Sequence, residues 1–440
     1  MTSSKISSDS TTGAPSPKRV GNTLGISYAM VALSSSSSAV VIPTIRDEFD
    51  LSLATGAWVV TALVIALAAF APIYGRIADI VGPRTPITVG LLLMAGGAIA
   101  SAVAPTPLTL IAARAVVGAG AGAMPVLGPM IIAGRLNQDE QPAALTRMSG
   151  IAATAASGLL IGAVVAEFLG WRWVLALPVL IVGVVPMVRR MSFTRPGTLV
   201  GIDVAGALGV AFIAVGLNLV LQLGMNPVTG VLGVVLVVGG LAASIFGARG
   251  GRTPFLPRTV LRRSATWKIG IAGGAIPAAF FSLLIAIPAI LTEEVGASRI
   301  EIGALLFPAA FAGVAVGPVA AKLRTTVSAN RLAALGLASA ASALLSAGFF
   351  TPEPIALGVS FAFAAVSFGL GQSSLLSMLT VATPEEERGA ALAVFMVLFF
   401  LGGGVGGTLL TVLSAGMSLG PALVAIAVLP VAAALVTLRT

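Results

Sequence analysis

Apolar runs of about 20 residues, separated by short polar gaps, repeat along almost the whole chain, and each is long enough for a helix to cross a hydrocarbon core. The runs fall at 25–43, 57–74, 86–104, 108–132, 148–168, 173–187, 204–223, 228–246, 269–291, 302–321, 332–350, 355–380, 390–410 and 418–438. The pattern predicts an all-α integral membrane protein with fourteen transmembrane helices. Residues 1–22 are polar, rich in Ser and Thr and without periodicity, and read as a disordered cytoplasmic tail. Lys18 and Arg19 before the first run resemble a signal-peptide start, but the run is long, has no obvious small-residue cleavage site and is followed by many others, so an uncleaved first span is expected.

Charge gives the orientation. With the amino terminus inside, 21 of the 25 basic residues lie in cytoplasmic segments, Arg46, Arg172 and Arg299 lie outside, and Arg114 lies within a run. Cytoplasmic loops are the ones enriched in Lys and Arg, so this bias predicts both termini in the cytoplasm. It also checks the span count, because deleting one run would move whole arginine clusters to the other side.

Composition then removes several classes. A mean hydropathy of +1.05 and 57% apolar residues exceed the ~45–50% apolar usage of soluble domains. The loop arginines account for the net charge of +9, so no nucleic-acid partner is expected. There is no cysteine and no histidine, which excludes disulfides, thiol chemistry and the commonest transition-metal ligand. The dense acidic groups, 385–387 and 293–294, have no His or Cys beside them, and no GxxxxGK[ST] phosphate loop occurs. Neither an enzyme, nor a cofactor, nor an ATP-driven engine is expected. Arginine outnumbers lysine and Ala, Gly and Val abound, which points to a GC-rich bacterial genome and hence a plasma membrane.

An internal repeat organises the runs. Glu140, Ala143, Ala144 and Leu145 follow the fourth run, and Glu387, Ala390, Ala391 and Leu392 follow the twelfth, at an offset of 247 that also carries the loop 75–84 onto 322–331. The predicted division is a tail (1–22), a six-helix bundle (23–190), a linker holding helices seven and eight (191–267) and a second six-helix bundle (268–440).

Three motifs carry a resemblance. The loop GRIADIVGPR, residues 75–84, places Gly75 and Gly82 where tight turns are needed and Asp79 where it can pair with Arg76 or Arg84. Arg114 sits in LTLIAARAVVGAGAGAMP, about seven residues and so ~10 Å from the outer end of its run, where it either faces a cavity or partner or reaches back to the interface. The stretch SGLLIG, 157–162, adds a small-xxx-small pair, as do Gly118 with Gly122 and Gly403 with Gly407. These resemble motifs A, B and C of the major facilitator superfamily. WVVT at 58–61, WRW at 171–173, DVAG at 203–206 and the stretch 381–407 resemble its fourteen-span branch of drug:proton antiporters, over about residues 22–436. Three departures stand out: Val117 replaces a frequent glutamine, motif C lacks its proline, and Ser34 stands where that branch carries an acid in its first span.

The resemblance implies the major facilitator fold, two six-helix bundles plus two extra central helices, and alternating-access export of hydrophobic or amphiphilic compounds such as drugs, antibiotics or metabolites. It also implies a conformational latch at Gly75, Arg76, Asp79, Gly82 and Arg84, and coupling through Arg114. Partners are then a small-molecule substrate, the lipid bilayer and protons as coupling ion, with the protein a monomer. No acid lies deep in the runs; Glu167, Asp203 and Asp79 are the nearest, and Glu167 is expected to pair with Arg114 if their helices adjoin. The serines 34–38 either bond back to their own helix or line a cavity. Candidate cavity residues are Ser34, Ser35, Ser38, Trp58, Gln372 and Ser373; Asn218 and Gln222, on the extra helices, are poor candidates. Two alternatives stay open: a carrier for a small anion that uses Arg114 as ligand, and a lipid or glycolipid transporter in which the extra helices widen a lateral opening.

Overall fold

A computed structural model describes residues 16–153, 157–195, 203–221, 226–247, 258–323, 326–384 and 387–438, and no strand occurs among them. The first group of helices is α1 (Pro17–Ala39), α2 (Ile42–Phe49), α3 (Leu53–Val81), α4 (Arg84–Ala102), α5 (Pro107–Ala121), α6 (Ala123–Arg135), α7 (Gln141–Ala153), α8 (Gly158–Leu169), α9 (Trp171–Ala176) and α10 (Val185–Met191). A pair follows, α11 (Val204–Val220) and α12 (Pro227–Gly247). The second group is α13 (Arg258–Arg262), α14 (Ser264–Ile290), α15 (Arg299–Leu306), α16 (Pro308–Leu323), α17 (Ala329–Phe349), α18 (Pro354–Ala382), α19 (Arg388–Ser414), α20 (Leu419–Ile426) and α21 (Val428–Leu438).

Local chemistry sets the ends. Ser16 caps α1 by accepting from the Arg19 N–H, with Pro17 in the first turn, where its missing N–H costs nothing. The first helix therefore starts inside the segment expected to be a tail. Thr106 and Thr109 form a reciprocal capping box on α5, and Ser298 with Glu301 forms another on α15. Those bonds hold the Glu301 carboxyl below its ordinary pKa. Pro43, in the first turn of α2, cannot continue the hydrogen-bond ladder of α1, and the two helices meet at 51°.

Ten helices among the described residues are long and apolar enough to span a membrane, or eleven if α1 and α2 are one bent span. The difference from fourteen runs arises where runs are short or broken. The fifth run is described only on either side of residues 154–156, as α7 and α8, the seventh is the 17-residue α11, and the tenth breaks at Phe307 between α15 and α16.

Packing separates the two groups. In the first, α3 lies against α5, α4 against α5, and α1 against α7 and α8; in the second, α14 lies against α17, α18, α19 and α21, and α17 against α18. Small residues set the closest approaches. A Cβ added to Gly402 or Gly406 of α19 would lie 2.0 Å from the Gly274 carbonyl oxygen or 2.1 Å from that of Ala278, both on α14. The groups meet along two seams, α3 with α19 and α8 with α15, and α11 lies across the first, packing Ala211 and Ala214 with Ala69 and Leu401. The extra pair therefore covers that seam rather than widening it. The repeat offset recurs in the helix starts: α5 and α18 begin at Pro107 and Pro354, α7 and α19 at Gln141 and Arg388.

Candidate functional site

Arg114 is fully buried. Its helix, α5, is held against α3 at Gly118, where an added Cβ would lie 2.0 Å from the Leu63 carbonyl oxygen, so the guanidinium is carried into the space between α1 and α3. Nε donates to the Val59 carbonyl at 2.9 Å, one terminal nitrogen to Ser34 Oγ at 3.3 Å, and the other to the Ser34 carbonyl at 2.7 Å and Ser38 Oγ at 2.9 Å. Every acceptor is neutral. Hydrogen bonds from a charged group contribute about 1.5–3 kcal/mol each, against several kcal/mol to bury an ion, so four together hold the cation where one or two would not.

The serines take the first of the two roles their sequence left open, line no described cavity, and add a third role at Arg114. Ser35, Ser36 and Ser38 bond back to Ala32 or Ser34 carbonyls, all five are buried, and Ser34 and Ser38 also accept from Arg114. Trp58 sits half-buried at the start of α3, beside the Val59 acceptor.

Glu167 is placed elsewhere than expected. It lies in the last turn of α8, and its carboxylate receives Arg299 at 3.4 Å, not Arg114. Arg299 also donates to Thr44 Oγ1 at 3.0 Å, and Arg46 pairs with Glu293. Both ion pairs cross between the groups in opposite senses: the first group supplies Arg46 and Glu167, the second Glu293 and Arg299. A cavity of about 260 Å³ beside them is lined by Thr44, Asp47, Glu167, Ser298 and Arg299. On the same face Glu48 receives Arg172 at 2.9 Å, and that guanidinium lies 4.2 Å from the Trp171 ring centre.

The opposite face carries residues 75–84. Gly75, Arg76 and Asp79 complete the last turns of α3, and Gly82 ends it at φ +80°, a conformation that side chains disfavour. The extended segment after α10 closes on this end: the Arg84 N–H donates to the Phe193 carbonyl at 3.2 Å, and Arg195 donates from its backbone to Val81 and from its side chain to the Asp79 carbonyl. Arg76 and Arg195 are the cations beside the Asp79 carboxylate. Arg195 takes the place expected of Arg84, whose side chain is exposed; only the neighbouring aromatic and basic residues, FTR, hinted at it. No hydrogen bond or ion pair joins Asp79 to the second group among the described residues. On this face Arg263 pairs with Glu387 at 2.8 Å within the second group, and that bond, helped by Thr259, holds the Glu387 carboxyl below its ordinary pKa.

Gln372 and Ser373 are half-buried on α18; Ser373 bonds back to Gly369. Asn218 is fully buried on α11, donating to Ala214 at 3.0 Å and lying 3.5 Å from the Thr408 hydroxyl of α19. It ties the extra pair to the seam, which the sequence alone placed outside the core; Gln222 lies outside the described residues. Asp203 is also buried, but as the cap of α11, accepting from the Gly206 N–H at 2.7 Å. Seven phenylalanines of the second group, 280, 281, 361, 368, 395, 399 and 400, form a cluster with ring centres 5.2–5.7 Å apart that the motifs did not signal.

The chain is 28% identical over 431 residues to the puromycin resistance protein of Streptomyces alboniger, covering 91% of this chain and 83% of that one. It is 28% identical over 417 residues to the cephamycin export protein of Amycolatopsis lactamdurans, covering 90% and 85%. The multidrug transporter protein MdtP of Bacillus subtilis is 25% identical over 385 residues, covering 83% and 69%. In fold, the crystal structure of the human organic anion transporter MFSD10 superposes with a TM-score of 0.68 at 13% identity, covering 96% of this chain and all of that one. The model of the Major Facilitator Superfamily matches residues 24–407, and the chain is a member of that superfamily of transporters.

Proposed function

We propose that the protein is a secondary transporter that exports hydrophobic or amphiphilic compounds across a bacterial plasma membrane by alternating access, as a monomer with both termini in the cytoplasm. Two six-helix bundles, 23–190 and 268–440, rock about the central site, and α11 with α12 braces one seam. The observation that carries this reading is the one-sided closure. Two crossed ion pairs join the groups on the Arg46 face, whereas Asp79 joins nothing in the second group among the described residues. This is the arrangement of a transporter shut to the outside, and the loop 75–84 is the latch that engages in the opposite state.

Proton coupling is assigned to Glu167. Protonation removes the charge that holds Arg299, loosening the outer face. The low polarity of the buried interior suits amphiphiles better than sugars, which need many aligned hydrogen bonds. Relatives named for puromycin resistance and cephamycin export support the same direction.

A susceptibility panel on cells with and without the gene, followed by uptake of each hit into everted vesicles, tests the reading. Accumulation driven by an imposed proton gradient, and lost in Glu167→Gln, is expected; protection without gradient-driven uptake overturns the coupling. The buried Arg114 without an acidic partner favours a second reading, a carrier for a small anion, which counterflow independent of a pH gradient would establish.

A further inference from the structure

From 272 to 290, on α14, every residue is buried except Phe280. A helix facing lipid shows exposure at every third or fourth position; a single opening on a helix packed by α17, α18, α19 and α21 lies among helices rather than along a lipid-facing stripe. Phe368 of α18 is also half-buried and meets the Phe280 ring edge-on, with centres 5.2 Å apart. One turn further along the same face is Gln372, half-buried, whose amide makes no hydrogen bond among the described residues. Behind the two rings, Phe361 and Phe399 are fully buried and fix their positions at 5.2 Å from Phe280 and Phe368 respectively.

We infer that Phe280, Phe368 and Gln372 form a substrate shelf for an uncharged aromatic compound that carries a hydrogen-bonding group about 6 Å from its ring, close to the rise of one helical turn. This names the substrate class of the transporter proposed above and rests on that reading. The rings offer faces and edges for stacking, and the amide both donates and accepts. No acid stands beside the shelf to neutralise a cation: α14 carries none between Ser264 and Ile290, and α18 none between Pro354 and Ala382. The repeat offset maps Phe280, Phe368 and Gln372 onto Leu33, Ala121 and Pro125, so the other group has no equivalent surface.

Equilibrium binding of radiolabelled chloramphenicol, a neutral nitrophenyl amide, to the purified full chain tests the shelf, with ethidium as the cationic aromatic comparator. Saturable chloramphenicol binding is expected, weakened about tenfold by Phe368→Leu and about fivefold by Gln372→Leu, with the melting temperature recording that each variant stays folded. Phe363→Leu, which removes a ring from the exposed side of the same helix, is the control and is expected to bind as the parent does. Absence of saturable binding, or binding indifferent to both shelf variants in folded protein, overturns the proposal. So does tighter binding of ethidium than of chloramphenicol with the same dependence on Phe368. Export is scored separately in everted vesicles: binding that follows the shelf without export removes the exporter reading and leaves the shelf, and export untouched by the variants does the reverse.

Discussion

The repeat offset that relates the two groups carries Arg114 onto Phe361 and Ser34 onto Phe281. At equivalent positions, one group buries a guanidinium among neutral oxygens, and the other buries a ring among rings. Both solutions are fully buried, so one helix scaffold accepts opposite chemistries provided each is satisfied completely. The first seals its polar network away from any described cavity; the second leaves two rings and an amide partly open. In the transporter proposed above, conformational pinning and ligand contact fall to different halves.

The comparison is most severely tested by moving the charge. Phe361→Arg places a cation where the surroundings are aromatic, and ~2.5–3.5 kcal/mol or more of destabilisation is expected, read as a collapse of melting temperature or of monodisperse yield. Arg114→Met removes charge and hydrogen bonds together, so folding stability is expected to change by less than about 2 kcal/mol while transport falls by roughly a hundredfold or more; a folded, fully active variant would show that the network is dispensable. Ser38→Ala deletes one of four acceptors and is expected to cost about 1–2 kcal/mol in thermal stability, with Ser35→Ala, which does not touch Arg114, costing less.

The smallest effect concerns the repeated glutamates. Glu387 receives Arg263, whereas its repeat-mate Glu140 accepts the Asn137 N–H at 3.2 Å. The folded pKa of Glu387 is lowered, so its contribution is present above the unfolded carboxyl range and is lost as pH falls through the lower folded value. The difference in melting temperature between parent and Glu387→Gln should therefore shrink below about pH 4. A constant difference across pH would assign the effect to packing.

Much of this was legible from order along the chain. The all-helical membrane architecture, the loop 75–84 and the burial of Arg114 follow from run length and charge, because lipid leaves few places for an ion. The acceptors of Arg114 were not legible, because they come from α1 and α3, and only the folded chain shows which serines on α1 face α5. Glu167 failed for the same reason: the sequence sets both it and Arg114 toward the same ends of their runs, but α8 turns its last carboxylate toward α15. The aromatic shelf is built from positions 280, 368 and 372, too scattered for any local pattern, although the repeat offset applied to Arg114 and Ser34 would have pointed to phenylalanine in both cases.

Arg46 and Glu293 are separated by the repeat offset itself, so each touches its own counterpart and the contact lies where the two groups mirror one another. In an assembly of two identical halves, that position would set arginine against arginine or glutamate against glutamate, and the face would be forced open by like charge. Only halves that differ in sequence can place opposite charges there. The pair depends on the halves being unlike, and it makes the single polypeptide something two identical copies of either half could not have been.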